Sequence, residues 1–255
     1  MADLPGRWRL GLTRILTAAF GICSIAWAAS SIPVYRAEAA LTAPAQRILA
    51  GDKFSPEQLD ALTQQIDSTP AGSLRPSSLV NVATIRLRLA EIGLQSGNAQ
   101  LSSQGFDKLE TALGAALDGS PTNPFLWLTD YWLRSARAGN PGVGLKSLGM
   151  SYALGPNEGW IAVRRSPLAL RAFPSLPDGL ADQVVVEFAG MVRSGFYSEA
   201  ADILVGAGWP VHEKLLAGLV QVDEGNRRRF AKVLEWKDLD GIAVPGVETR
   251  PSRPF

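Results

Sequence analysis

The chain has 255 residues, 46% of them hydrophobic, which is enough to bury a sizeable core and excludes a disordered protein. Twenty-five basic side chains meet twenty-four acidic ones, a formal charge of +1, so no net field draws nucleic acid or an acidic membrane surface. A single cysteine, Cys23, and a single histidine, His212, exclude a disulfide framework and a cysteine metal site, and any serine-histidine or cysteine-histidine catalysis would rest on that one imidazole.

Near the N-terminus, "ILTAAFGICSIAWAASSI" runs from Ile15 to Ile32, 18 positions without a charge, and Leu10 to Leu12 extend the apolar stretch upstream past Arg14. About 20 apolar residues cross a bilayer as a helix. Arg7, Arg9 and Arg14 precede the run and Trp8 and Trp27 lie near its ends, which predicts a cytoplasmic N-terminus with interfacial aromatic rings. The expectation is a single-pass anchor in a bacterial inner membrane, held by residues 10–34, with the rest of the chain periplasmic. The alternative is a cleavable signal peptide, since "AWA" and "AEA" resemble sites with small residues that signal peptidase accepts. Ile22 stands where a lipoprotein signal wants a small residue, so Cys23 reads as an apolar membrane residue.

Past Tyr35, helical stretches alternate with Gly/Pro punctuation and no period-two alternation is sustained, which predicts an all-α domain. "FSPEQLDALTQQID" begins with a capping box: Ser55 at the cap, Pro56 at the first helical position, Gln58 three residues after the cap. Its apolar face is Leu59, Leu62 and Ile66. In "SSLVNVATIRLRLAEIGLQSG" the stripe is Leu79, Val82, Ile85, Leu89 and Ile92, with Arg86 and Arg88 off it; in "SSQGFDKLETALGAALDGS" it is Phe106, Leu109, Leu113 and Leu117. Further helices are predicted near 124–138, 142–154, 157–171, 179–194, 197–205, 210–220 and 223–236, the last burying Phe230, Val233, Leu234 and Trp236. The Pro- and Gly-rich end predicts a flexible tail, so the divisions are 1–35 for N-terminus and anchor, 36–237 for the helical domain, and 238–255 for the tail.

"LDGSPTNPFLWL" from Leu117 and "YALGPNEGWIAV" from Tyr152 each end a helix, turn at a proline, pass an asparagine and start a new helix through Trp127 or Trp160. The two prolines, Pro121 and Pro156, lie 35 residues apart with a helix pair between them. This resembles the tetratricopeptide pattern, in which antiparallel helix pairs stack into a curved array that presents a groove to a protein segment. Roughly Pro121 to Gly206, through "NPFLWLTDYWL" and "SLGMSYALGPNEGWIAVRRSPLAL", also resembles bacterial polysaccharide-biosynthesis accessory proteins of the VpsP type. That resemblance implies a short, membrane-anchored, extracytoplasmic helical-repeat protein beside exopolysaccharide synthesis or export machinery, with no catalytic residues.

No phosphate-binding loop, H-E-x-x-H motif, Cys/His cluster or calcium loop is present, so neither cofactor nor metal is expected. A glycosidase would need two facing carboxylates, for which Glu187 with Glu158 or Glu199 is what spacing leaves open. The arginines of "GNRRRFAKVLEWK" cannot all share one helix face and read first as solvated, with a lipid-phosphate or anionic-glycan contact as the alternative. The densest stretch is Trp160 to Arg171. On a helix from Asn157, Trp160, Val163, Arg164 and Pro167 fall on one face and Arg165 points elsewhere. Two readings stand: a tryptophan packed on the preceding helix pair with arginines bonding helix C-terminal carbonyls, or a cationic rim of Arg164, Arg165 and Arg171 beside Trp160 for a carboxylated partner. The function expected is a non-enzymatic scaffold with an envelope protein partner and no nucleic acid. A soluble periplasmic or secreted binding module comes second and a glycan-modifying enzyme third.

Overall fold

The computed structural model describes residues 6–69, 72, 74–239 and 241–247. Its first element, α1 (Gly6–Ala50), is one helix of 45 residues. Within it, Gly11–Ile32 is long and apolar enough to cross a membrane, 22 residues of mean hydropathy 1.8 with none of the stretch buried. At about 1.5 Å per residue it reaches about 33 Å, against the ~30 Å of a hydrocarbon core. Left in water, side chains such as Phe20 and Trp27 would forgo about 1.5–3 kcal/mol each of burial energy. Hydroxyls of the stretch bond within the helix: Thr17 Oγ1 donates to the Thr13 carbonyl and Ser24 Oγ to that of Phe20, each at 2.8 Å. Residues 1–5, and the side chains of Arg7, Trp8 and Arg9 on which the orientation reading rests, lie outside the described part.

The helix does not stop where the apolar run does. It continues past Pro33 and Pro44, each of which removes one ladder hydrogen bond, because Leu41 and Ala45, one turn apart, are buried. It ends in a Schellman turn: Gly51 takes φ +87°, its N–H bonds the Ile48 carbonyl, and the Asp52 N–H reaches the Arg47 carbonyl, both at 3.0 Å.

The chain divides into two units, residues 1–89 and 90–255, and the division falls inside α3 (Pro76–Gln95). In the first unit the capping box opens α2 (Pro56–Asp67): the Gln58 N–H donates to Ser55 Oγ at 3.4 Å and the Ser55 N–H to Gln58 Oε1 at 3.0 Å. Leu62 and Ile66 of α2 and Val82 and Ile85 of α3 are buried as expected. Arg86 is buried too, although it falls off the apolar stripe. Its guanidinium is ion-paired to Asp67 at the end of α2, which is what makes its burial tolerable. Just past the apolar span, the Arg75 guanidinium lies 4.7 Å over the Tyr35 ring and 3.3 Å from the Glu38 carboxylate.

In the second unit follow α4 (Ala99–Gly119), α5 (Pro124–Ala138), α6 (Leu145–Leu154), α7 (Gly159–Arg171), α8 (Asp178–Arg193), α9 (Tyr197–Val205), α10 (His212–Gly218) and α11 (Glu224–Trp236). No strand occurs among the described residues. Arg137, late in α5, pairs with Asp107 and Glu110, midway along α4, at 2.9 and 2.8 Å, so α5 folds back antiparallel along the second half of α4. Across α5 and α6, Asp130 accepts from Ser147 Oγ at 2.5 Å and from Arg134 Nε at 2.7 Å.

The junctions α4–α5 and α6–α7 repeat in backbone conformation, 35 residues apart. Ser120 has φ −147°, ψ 62° and Gly155 has φ −140°, ψ 61°; the caps Asn123 and Glu158 have φ −79°, ψ 111° and φ −84°, ψ 87°. In both, the tryptophan folds back on its own junction, Trp127 Nε1 donating to the Pro121 carbonyl at 2.7 Å and Trp160 Nε1 to Glu158 Oε2 at 3.2 Å. Asn123 caps α5 through the Phe125 N–H, whereas Glu158 makes no side-chain cap bond. The α8–α9 turn has a different form, closed by Gly195 at φ +87°.

Two expectations change at the C-terminal end. Trp236 is 81% exposed, because it lies across the helix from the Phe230/Leu234 stripe, and Ala231 is buried instead. The stretch expected to be a flexible tail turns back on α11: the Leu239 N–H bonds the Leu234 carbonyl at 2.9 Å, Val244 is buried, and Arg227 donates to the Pro245 carbonyl. The remaining tail positions, 248–255, lie outside the described residues.

The α6–α7 junction requires its glycine, since a Cβ on Gly155 would sit 2.6 Å from Cγ of Pro124, a ring that cannot swing away. Gly155→Ala is expected to cost about 1–3 kcal/mol by overpacking. Gly149→Ala, in the same helix with open space around it, should be neutral or stabilise by up to about 1 kcal/mol. Urea unfolding of the two variants against the parent chain measures the difference.

Candidate functional site

Consecutive residues on an α-helix point about 100° apart, so Arg164 and Arg165 leave α7 in different directions. The inward face of α7 is Ile161, Ala162, Arg165, Ser166, Ala169 and Leu170, two i, i+4 rows that each carry a polar residue in the middle. Arg165 is 0% exposed, the bulkiest fully buried side chain described. It therefore forms no part of a surface rim. A guanidinium cannot be deprotonated away and must be paired where it is buried.

Five bonds meet that requirement. Arg165 Nε donates to Glu187 Oε2 of α8 at 2.9 Å, and Nη2 bonds the same oxygen. Nη1 reaches the Ser151 carbonyl at 2.6 Å and its hydroxyl at 3.1 Å, and Nη2 the Gly155 carbonyl at 3.0 Å. Both carbonyls lie at the end of α6, where the helix dipole is negative; the Ser151 carbonyl accepts the Gly155 N–H at 3.1 Å as well as Arg165. The face of Tyr152 lies 3.9 Å from the guanidinium carbon. Glu187 is filled in the same way: its Oε1 accepts from Tyr152 Oη and from Ser166 Oγ, each at 2.8 Å. Two bonds to each oxygen occupy the acceptor sites of the carboxylate. Burial, and then the Glu187 charge, push the Tyr152 hydroxyl well above its ordinary range.

The other candidates lie apart from this network. The Arg164 guanidinium donates to the Trp160 carbonyl at 3.0 Å, sits 5.9 Å from the Trp160 ring, and is held below the usual arginine range by burial. Trp160 is 41% exposed and tilts against Phe125 at 5.3 Å. Arg171 is exposed in the last turn of α7, where its charge opposes the burial that raises the Tyr131 hydroxyl to about 12. Trp160 and Arg164 thus form one surface pair, and Arg165 and Arg171 do not join it.

Beside the buried network is a pocket of about 280 Å³ between the start of α7 and the end of α8. Tyr152, Glu187 and Met191 form part of its wall; Asn157, Gln183, Arg193 and Ser194 are polar lining residues, and Phe196 and Val186 are apolar ones. Sequence reasoning missed this place, because Gln183 and Arg193 read as ordinary solvated positions of an amphipathic helix. Glu187 is the one carboxylate among the described lining residues, and its lone pairs are committed. Neither Glu158, bonded to Trp160, nor Glu199, in the first turn of α9, lines the pocket with it. The paired carboxylates of a glycosidase are not assembled there. His212 lies elsewhere, its ring stacked 4.3 Å from that of Trp209. No three His, Cys, Asp or Glu side chains cluster as metal ligands among the described residues.

No family model, no curated protein and no solved structure matches this chain.

Removing one partner of a buried ion pair leaves the other charge unpaired, at a cost of about 3–5 kcal/mol. Arg165→Met and Glu187→Leu are each expected to lose that much. The double variant should lose less than either alone, as read by denaturant unfolding. The tyrosines give a pH signature. The folded hydroxyl of Tyr131 titrates near 12 against an ordinary 10, so its contribution to stability is complete below pH 10 and is lost as pH rises towards about 12. Phenolate absorbance should show two tyrosines ionising late, and Tyr131→Phe should remove one of them.

Proposed function

We propose that this chain is a membrane-anchored accessory protein: α1 holds it in a bacterial inner membrane, the amino end is cytoplasmic, and the helical domain lies in the periplasm as a scaffold for an envelope assembly. The observation that carries this reading is the continuity of α1, in which the exposed apolar stretch Gly11–Ile32 passes without a break into a segment whose Leu41 and Ala45 are buried in the first unit. A helix of this kind transmits position between a bilayer and a folded domain. Cleavage at "AEA" would remove Tyr35 and Glu38, both of which lie against Arg75, which disfavours removal at that site; cleavage at "AWA" would leave them in place.

The recurrence of the α4–α5 and α6–α7 junctions supports a tetratricopeptide-like stacking of helix pairs, whose natural use is to hold a partner protein. The committed state of Glu187 argues against that carboxylate serving as a catalytic base; the non-enzymatic role rests on the same resemblance as the polysaccharide assignment. The assignment to exopolysaccharide synthesis or export rests on the resemblance of Pro121 to Gly206 to accessory proteins of that machinery.

Fractionation with intact-mass measurement tests the anchor: the full-length chain should be recovered from the membrane, and a shortened soluble periplasmic form would overturn it. Gentle detergent extraction should bring down glycosyltransferase or export proteins. Deletion of the gene should lower surface polysaccharide, and unchanged output would remove the polysaccharide assignment.

A further inference from the structure

The pocket between α7 and α8 divides its polar residues into two classes. The deep ones, Tyr152 and Glu187, are fully engaged with Arg165 and Ser166. The outer ones, Asn157, Gln183, Arg193 and Ser194, are exposed, and their side chains make no hydrogen bond or ion pair among the described residues. We propose that this pocket binds a small hydroxylated carboxylate, a sugar acid in size and chemistry, with Arg193 taking the carboxylate and Asn157, Gln183 and Ser194 taking the hydroxyls.

Size limits the ligand first. A pocket of about 280 Å³ holds on the order of nine waters at about 30 Å³ each, the space of one small ring with its substituents. Charge limits it next. The one acid of the described lining is neutralised by Arg165 behind it, so the wall does not repel an anion, and Arg193 brings a positive charge that no carboxylate among the described residues answers. A guanidinium binds a carboxylate through two parallel N–H bonds. Hydrogen bonding limits it further, because two amides and a hydroxyl each both donate and accept, as sugar hydroxyls do. Phe196 gives the pocket an apolar side. Its ring lies so close to Gly159 that a Cβ there would stand 2.8 Å from Cε2, which fixes the ring against the start of α7. Ligand pockets combine such an apolar wall with a few placed polar groups.

The selection of a sugar among hydroxylated carboxylates rests on the glycan reading above; the pocket's preference for a carboxylate does not. The test is titration of the full chain in detergent with glucuronate, glucose and succinate, followed by calorimetry or ligand-observed NMR. Glucuronate should bind saturably, with glucose and succinate each at least tenfold weaker. Arg193→Gln should weaken glucuronate at least tenfold and leave glucose unchanged, and Gln183→Ala should weaken it several-fold. Both side chains are exposed and unbonded, so thermal melting should match the parent chain. Absence of saturable glucuronate binding, equal binding of glucose, or full affinity in Arg193→Gln would overturn the proposal; succinate binding as tightly as glucuronate would overturn the sugar-acid assignment. A chain that fails to bind glucuronate but still brings down glycosyltransferase or export proteins overturns the pocket alone. A chain that binds glucuronate and is extracted without such proteins overturns the accessory role alone.

Discussion

The buried pair of Arg165 and Glu187 constrains the second unit more tightly than any apolar contact can. Desolvating two charges costs several kcal/mol each, and their attraction repays this only when the geometry is good and every remaining donor and acceptor is filled. Here the filling groups come from three helices: the Ser151 and Gly155 carbonyls and the Tyr152 hydroxyl from α6, Arg165 and Ser166 from α7, and Glu187 from α8. A shift of any one helix by a turn would leave a buried charge unpaired. Apolar side chains tolerate sliding; this network does not. The position of Gly155 serves the same end, since its carbonyl takes Arg165 while its missing side chain admits Pro124 of α5.

The same network decides what the neighbouring surface can do chemically. A carboxylate at a pocket wall is ordinarily a candidate base or nucleophile, but Glu187 has no acceptor site left, and its partner cation is locked behind it. What remains at the mouth is neutral or positive and suited to holding a ligand. In the first unit Arg86 and Asp67 form a second, partly exposed example of a buried guanidinium answered by a carboxylate from a neighbouring helix.

Much of the architecture is legible in the sequence because it depends on local chemistry. The capping box at Ser55, the helix start at Pro124, and the turn that follows Leu117 and recurs after Tyr152 are written in a few adjacent residues, and the apolar run of α1 is evident by length alone. What is not legible depends on partners far along the chain. Arg165 is indistinguishable from Arg164 until α8 supplies Glu187, 22 residues away. One of the two readings of this stretch, arginines on helix C-terminal carbonyls, describes Arg165; the other, a cationic rim, fails for it because that carboxylate lies inside the chain. The extension of α1 past Pro33 and Pro44 to Ala50 is not written in the apolar run, because it goes with the burial of Leu41 and Ala45 in the first unit. Trp236 shows the converse error, a large apolar residue assigned to the core although its angular position takes it out. The pocket is invisible because its polar residues are spread over two helices and the loops at their ends.

Amide hydrogen exchange of the Glu187→Gln variant against the parent chain tests most directly whether one buried network ties three helices together. The account predicts that protection falls together at the end of α6, through α7 and in the second half of α8, while α4 keeps its protection. Loss confined to the turn around position 187, or unchanged exchange throughout, would contradict it.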